Sequence, residues 1–273
     1  MGIKKYLKRK LSAPALDLLR SARIKSRHLL HWPEAQFHPW RAASKKHLRA
    51  VKDQYRGQRC FVLGNGPSLK RTDISYLRDE YTFGMNRVYL AFSDWGFPTS
   101  FLVAVNNLVI EQSGKELLDQ AIPKYLSWHA RDFLRLEGDL PPETYFLYST
   151  YEGPKFATNA AGRLWEGATV TYVCLQLAYH MGFEEVYLIG VDHDFATQGK
   201  ANQTVVSQGA DPNHFREEYF GKGFRWQLPD LETSEQAYQR ARSAFERDGR
   251  IIRDATVEGK LDVFPKVDYN SLF

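Results

Sequence analysis

The chain of 273 residues is 43% hydrophobic, 14% aromatic and 25% charged, which suffices for one sizeable core and excludes a disordered, collagen-like or coiled-coil protein. Its net charge of +5 is uneven: residues 1–50 hold 13 of the 37 Lys and Arg against two acids, Asp17 and Glu34, so the rest of the chain is acidic. An acidic body lacks the basic face of a nucleic-acid binder, and no nucleic acid is expected as a partner.

Ile3, Leu7 and Leu11 recur every four residues among Lys4, Lys5, Lys8, Arg9 and Lys10, and Leu16, Leu19 and Ile24 continue the stripe. Pro14 breaks it, which predicts two short helices with an apolar and a cationic face. Such a segment suits an anionic membrane surface, so residues 1–30 are expected to attach peripherally to the inner face of the membrane. Packing on the domain explains the stripe equally well. His31–Trp40, with three aromatics and two prolines, reads as a packed connector. Residues 1–50 are therefore expected as a basic helical extension and 51–273 as a Rossmann-like catalytic domain. No apolar run is long enough to span a membrane, and Cys60 and Cys174 sit in apolar runs as buried thiols do in a reducing, cytoplasmic setting.

From Arg59 onward, strands alternate with helices. CFVLGNGPSL is an apolar strand ending in a glycine turn, and YTFGMNRVYL and TSFLVAVNN are the next two strands. NLVIEQSGKELLDQA reads as a helix, and PKYLSWHA and ETYFLYST as short strands. GATVTYVCLQLAYHMGF is a buried helix stopped by Gly182, and EEVYLIGVDHDF is a strand ending in acids. Residues 196–230 have no lasting periodicity and read as a lid. Thr233 is placed to cap a last helix, and RIIRDAT is the last strand. The alternation predicts an α/β fold, a doubly wound and mainly parallel sheet.

The turn after the first strand carries chemistry. Gly64 and Gly66 allow positive φ and close approach of a ligand. Pro67 and Ser68 open a helix whose free N–H groups favour a phosphate. Asn65 offers both a donor and an acceptor to a ribose or phosphate oxygen. The turn is neither the G-x-G-x-x-G dinucleotide fingerprint, since Leu69 holds its third glycine position, nor a P-loop.

GNGPSL, TFGMNRVYL and the block GATVTYVCLQLAYHMGFEEVYLIGVDHDF resemble the bacterial domain-of-unknown-function proteins labelled 6-hydroxymethylpterin diphosphokinase MptE-like. The resemblance runs from about residue 58 to the C-terminal GKLDVFPKVDYNSLF. More distantly, GNGPSL, an Asn on the second strand, a strand ending in Gly-x-Asp and a later His are similar to the bacterial CMP-sialic acid transferases. That second resemblance implies a sialyltransferase-like variant of the GT-A glycosyltransferase fold, working without a metal. It also implies donor-binding roles for Asn86, for Asn106 or Asn107, and for Asp192. Asp194 falls where those enzymes carry a tyrosine.

Asp192 lies where open α/β sheets place their ligands, at the C-terminal end of a strand. Thr169 opens the buried helix and could cap it or hold a sugar hydroxyl. Lys155, Arg163 and Trp165 could line the acceptor side. His214, in Asp-Pro-Asn-His-Phe, suits a general base for a hydroxyl, because imidazole titrates near neutral pH. It also matches the transferases' base by resemblance. Lys222, between two glycines, would bring positive charge on a mobile flap. His180 reads as core, and His129 and His193 as weaker site candidates.

Together with these residues, the resemblance to the CMP-sialic acid transferases implies a glycosyltransferase that moves a sugar from a nucleotide-linked donor, CMP favoured, to a glycan or lipid-linked acceptor in cell-surface polysaccharide assembly. Its catalytic residues would be His214 and Asp192, and no cofactor would be required. The family label offers a Mg-ATP-dependent hydroxymethylpterin diphosphokinase instead, with Asp192 and Asp194 as Mg²⁺ ligands. A non-enzymatic nucleotide-binding scaffold is the third possibility.

Overall fold

A computed structural model describes residues 32–136, 139–151, 153 and 155–273. The amphipathic stripe expected in residues 1–30 lies outside the described residues. Among those described, no helix is long and apolar enough to cross a membrane.

Eight strands form one sheet: β1 (Arg59–Leu63), β2 (Tyr81–Met85), β3 (Phe101–Ala104), β4 (Lys124–Ser127), β5 (Thr144–Thr150), β6 (Arg163–Trp165), β7 (Glu185–Ile189) and β10 (Ile251–Asp254). Their order is β10-β7-β1-β2-β3-β4-β5-β6, and every neighbouring pair is parallel. The expected α/β, Rossmann-like class is therefore observed. Parallel strands covered on both faces are apolar throughout, as CFVL of β1 shows. Cys60 and Val62 join one core while Phe61 and Leu63 join the other, on the opposite face.

On the first face lie α1 (Pro39–Ala50), α3 (Val170–Met181) and α4 (Leu231–Arg247). Every residue of α3 is buried, because the sheet covers one side and α4 packs on another. Gly182, at φ 99°, ends it as expected. On the second face lie α2 (Asn107–Leu118) and the lid. The lid contains a two-stranded antiparallel ribbon, β8 (Thr204–Val206) with β9 (Arg225–Gln227), which its sequence does not announce. Gln112 of α2 bonds both the N–H and the C=O of Arg225 and so ties α2 to β9.

Two details depart from the sequence reading. Residues 39–50 belong to the body: Arg41 is buried and donates to the carbonyls of Ala161 and Gly162 at 3.0 Å, and Ser44 Oγ accepts from Phe146 N–H at 2.8 Å. The cap of α4 is Asp230, whose carboxylate accepts from Thr233 N–H, and not Thr233 itself. Aspartate wins here because it lies outside the first turn and can accept from an orphan N–H. Cys60 and Cys174 are both free and buried, and desolvation pushes their thiols up.

Candidate functional site

The chain walks outward from β1 to β6, then returns to β7 on the other side of β1. The carboxyl ends of β1 and β7 thus flank a topological switch point, where open α/β sheets leave a crevice. A cleft of about 220 Å³ opens there, lined by Gly64–Gly66, Asn86, Gly190–Phe195 and His214 among others.

The glycines in this crevice serve the approach of two backbones. Gly64 N–H donates to Ile189 C=O and Gly66 N–H to Gly190 C=O. A Cβ on Gly64 would stand 2.2 Å from the Gly190 oxygen, and one on Gly66 1.9 Å from Asp192 Oδ2. Neither residue takes positive φ; Gly190 does, at 66°. The glycine signal was real, but its cause is contact between the two strand ends.

Asp192 and Ser68 also differ from expectation. Ser68 is fully buried, and its N–H and Oγ donate to the two Asp192 oxygens at 3.0 and 2.7 Å. Asp192 therefore clamps the turn, and Ser68 has no donor left for a phosphate. Pro67–Arg71 is a five-residue 3₁₀ helix, too short for an anion-binding terminus. Asp194 is exposed and held by Lys260 at 2.6 Å. Asp192 and Asp194, the expected Mg²⁺ ligands, are thus each already engaged, by Ser68 and by Lys260. Among the described residues no group of three His, Cys, Asp or Glu is arranged to hold a metal.

The N-terminal ends of three helices also border the cleft. Asn106 caps α2 by accepting from Leu108 and Val109 N–H, Thr169 caps α3 by accepting from Thr171 N–H, and Asp230 caps α4. All three caps line the cleft, so the N-terminal ends of three long helices point their dipoles at it. Asn107, the first residue of α2, is exposed and stays outside the cleft. Lys222 is also exposed and outside it, and Lys155 lines a separate surface groove.

Asn65 is 8% exposed and donates through Nδ2 to Met85 C=O at 3.1 Å, which leaves its Oδ1 facing no partner. Asn86 follows β2 at φ 51°, and its Oδ1 is likewise buried and unpaired. The two stand at the ends of neighbouring strands as acceptors waiting for donors.

The opposite wall is the lid. His214 Nδ1 lies 2.7 Å from Asp211 Oδ2, and the ring stacks on Tyr219 at 4.0 Å and 10°. Asp211 is 5% exposed and also accepts from the N–H groups of Asn213 and Phe220. A carboxylate partner at Nδ1 fixes the neutral tautomer with its proton there, so Nε2 carries the lone pair. Tyr219 is fully buried, and desolvation raises its hydroxyl above the ordinary range. Phe215 N–H donates to Asn65 C=O at 2.9 Å, and Asn213 Oδ1 accepts from Ala196 N–H at 2.8 Å. Arg87 donates to the carbonyls of Glu218 and Tyr219. The segment expected as a flap is thus a packed wall, built on buried Phe215, Tyr219, Phe220 and Trp226.

Asp211, the carboxylate partner of His214, escaped the sequence reading. Its signal was the i, i+3 spacing to His214 across Pro-Asn, a turn that returns one side chain to the other.

A family model described as 6-hydroxymethylpterin diphosphokinase MptE-like matches residues 38–198. No curated protein matches. Among solved structures, the Maf glycosyltransferase of Magnetospirillum magneticum AMB-1 is 15% identical with a TM-score of 0.48, over 85% of this chain and 39% of the other. This chain spans about two fifths of that protein's length. A mammalian sialyltransferase, solved with Gal-beta-1-3GalNAc-ortho-nitrophenol, is 13% identical with a TM-score of 0.39, over 88% of this chain and 86% of the other.

Proposed function

The chain belongs to the 6-hydroxymethylpterin diphosphokinase MptE-like family, and from that membership and the geometry of the cleft we propose a nucleotide-dependent transferase that moves a glycosyl group from a nucleotide-linked donor to a hydroxyl. The observation that carries this proposal is the His214–Asp211 pair facing a switch-point cleft ringed by three helix N-termini. The helix ends favour the donor's phosphate, and the unpaired oxygens of Asn65 and Asn86 suit ribose hydroxyls. Gly64, Gly66 and Asp192 shape this half of the site and do no chemistry in it.

In the reaction, Nε2 of His214 takes the proton of the acceptor hydroxyl. The acceptor oxygen bonds to the anomeric carbon as the bond from that carbon to the phosphate oxygen breaks. The electron pair leaves on the phosphate, whose charge the helix dipoles stabilise. Asp211 holds the ring in its tautomer and stabilises the imidazolium that forms. The sequence likeness to CMP-sialic acid transferases favours a CMP-linked sugar, and a glycan or lipid-linked acceptor of surface polysaccharide assembly. Attachment of residues 1–30 to an anionic membrane would bring the cleft near such an acceptor.

The family description favours a second reading, transfer of diphosphate from ATP to the hydroxymethyl group of a pterin. His214 would serve it by the same deprotonation. Mg²⁺ would have to be held mainly by the nucleotide's own phosphates, because Asp192 and Asp194 are engaged by Ser68 and Lys260. A thermal-shift series with CMP, UDP and ATP, each with and without Mg²⁺, separates the two. Stabilisation by CMP without metal supports glycosyl transfer, and stabilisation by Mg-ATP alone supports the diphosphokinase. No response to any of the three removes both.

A further inference from the structure

A second histidine lines the same cleft. His193 follows Asp192 at φ 56°, in the left-handed region that favours glycine or asparagine. A strained backbone that survives at a cleft is a pointer to function. The side chain is 8% exposed, and Nε2 lies 2.8 Å from Glu235 Oε1 on α4. The ring meets Tyr238 edge-on at 6.4 Å, and the Tyr238 hydroxyl reaches Thr169 Oγ1, the cap of α3, at 3.4 Å.

The charged and titratable groups around this ring are Glu235 and Tyr238 from α4, Asp192 and Asp194 on its own loop, and Lys260 beyond β10. Asp192 is taken by Ser68 and Asp194 by Lys260, whereas Glu235 bonds the ring itself. Asp230 already caps α4, so the contact is not needed to start that helix. Two histidines of the cleft are therefore each held by a carboxylate behind them. His214 is held through Nδ1 from the lid, and His193 through Nε2 from α4.

We propose that His193 and Glu235 form the acid half of the site, delivering a proton to the donor's phosphate as it leaves. This rests on the nucleotide-transferase reading. Protonated His193 donates through Nε2 to Glu235 and through Nδ1 to a phosphate oxygen. When the bond to the transferred group breaks, its electron pair stays on the phosphate oxygen, which takes the Nδ1 proton. The acceptor's proton goes to His214 Nε2, and exchange with solvent restores both rings. The same balance serves diphosphate transfer, where the leaving group is a nucleoside monophosphate.

The test is calorimetric and needs no turnover. CMP, and separately cytidine, are titrated into the full-length protein near pH 7.5 in two buffers of different ionisation enthalpy. UDP and ATP are run against uridine and adenosine in the same way. Wild type is expected to take up about one proton with the nucleotide and none with the nucleoside. His193→Asn, chosen because asparagine tolerates this φ, should lose that uptake and about tenfold in nucleotide affinity, with nucleoside affinity unchanged. His214→Gln should keep the uptake. Glu235→Gln, which leaves the ring in place, should weaken uptake and gives a second test should the asparagine variant fold poorly. Full proton uptake by His193→Asn, or nucleotide binding by wild type without uptake, overturns the proposal alone. Failure of wild type to bind any of the three nucleotides overturns the transferase reading, and this proposal with it.

Discussion

The two walls of the cleft are built by opposite means. The sheet wall is backbone: two strand ends so close that glycine is required at 64 and 66, locked by the Asp192 carboxylate on Ser68. The lid wall is side chain: a buried aromatic cluster and the saturated carboxylate of Asp211, which fix one imidazole ring. A backbone wall can offer shape and dipoles, and a side-chain wall can offer a titrating group. On the proposed reading, the first wall binds the nucleotide and, through His193, meets its leaving phosphate, while the second deprotonates the acceptor.

Substitutions that separate the walls should separate binding from chemistry. The largest effect is expected at His214→Ala, a loss of ~10²–10⁴-fold in turnover with nucleotide affinity almost unchanged. An equal loss in affinity would merge the two walls into one function. Next is Gly64→Ala, whose Cβ meets the Gly190 carbonyl and cannot be relieved by a side-chain movement. It should cost about 3 kcal/mol in denaturant unfolding; a neutral result would mean that the strand ends are less tightly joined.

Asn65→Ala should weaken nucleotide binding by about tenfold in calorimetry, through the acceptor it removes, and leave turnover of bound donor nearly intact. A turnover defect larger than the binding defect would move Asn65 into the chemistry. The smallest effect is expected at Lys222→Ala. That side chain is exposed and away from the cleft, so stability should stay within about 0.5 kcal/mol and binding should not change. Loss of nucleotide affinity there would restore the basic flap that the packed lid argues against.

The same contrast explains what was legible in the sequence. Continuous apolar runs such as CFVL and EVYLI announced the parallel strands, and Gly182 announced the end of α3, because burial and left-handed φ leave compositional marks. GNGPS marked the sheet wall correctly, but a glycine required by a carbonyl and one required by a ligand look alike in sequence. Ser68 and Asp192, 124 residues apart, revealed nothing of their mutual hydrogen bonds. The lid showed only as aperiodicity, since its order comes from aromatic packing and from Arg87 on a distant turn. Its histidine stood out by chemistry, while Asp211 at i−3 passed as part of a turn.

The central claim is that a nucleotide occupies the crevice between β1, β7 and the lid. Amide hydrogen exchange of the full-length protein, with and without saturating CMP, UDP or ATP, tests it most directly. The account predicts new protection in residues 64–66, 190–194 and 211–220 and at the N-terminal turns of α3 and α4, with the α1 and β5 region unchanged. Protection confined to the groove around Lys155 and Arg240, or none in the crevice with nucleotide bound, would contradict it.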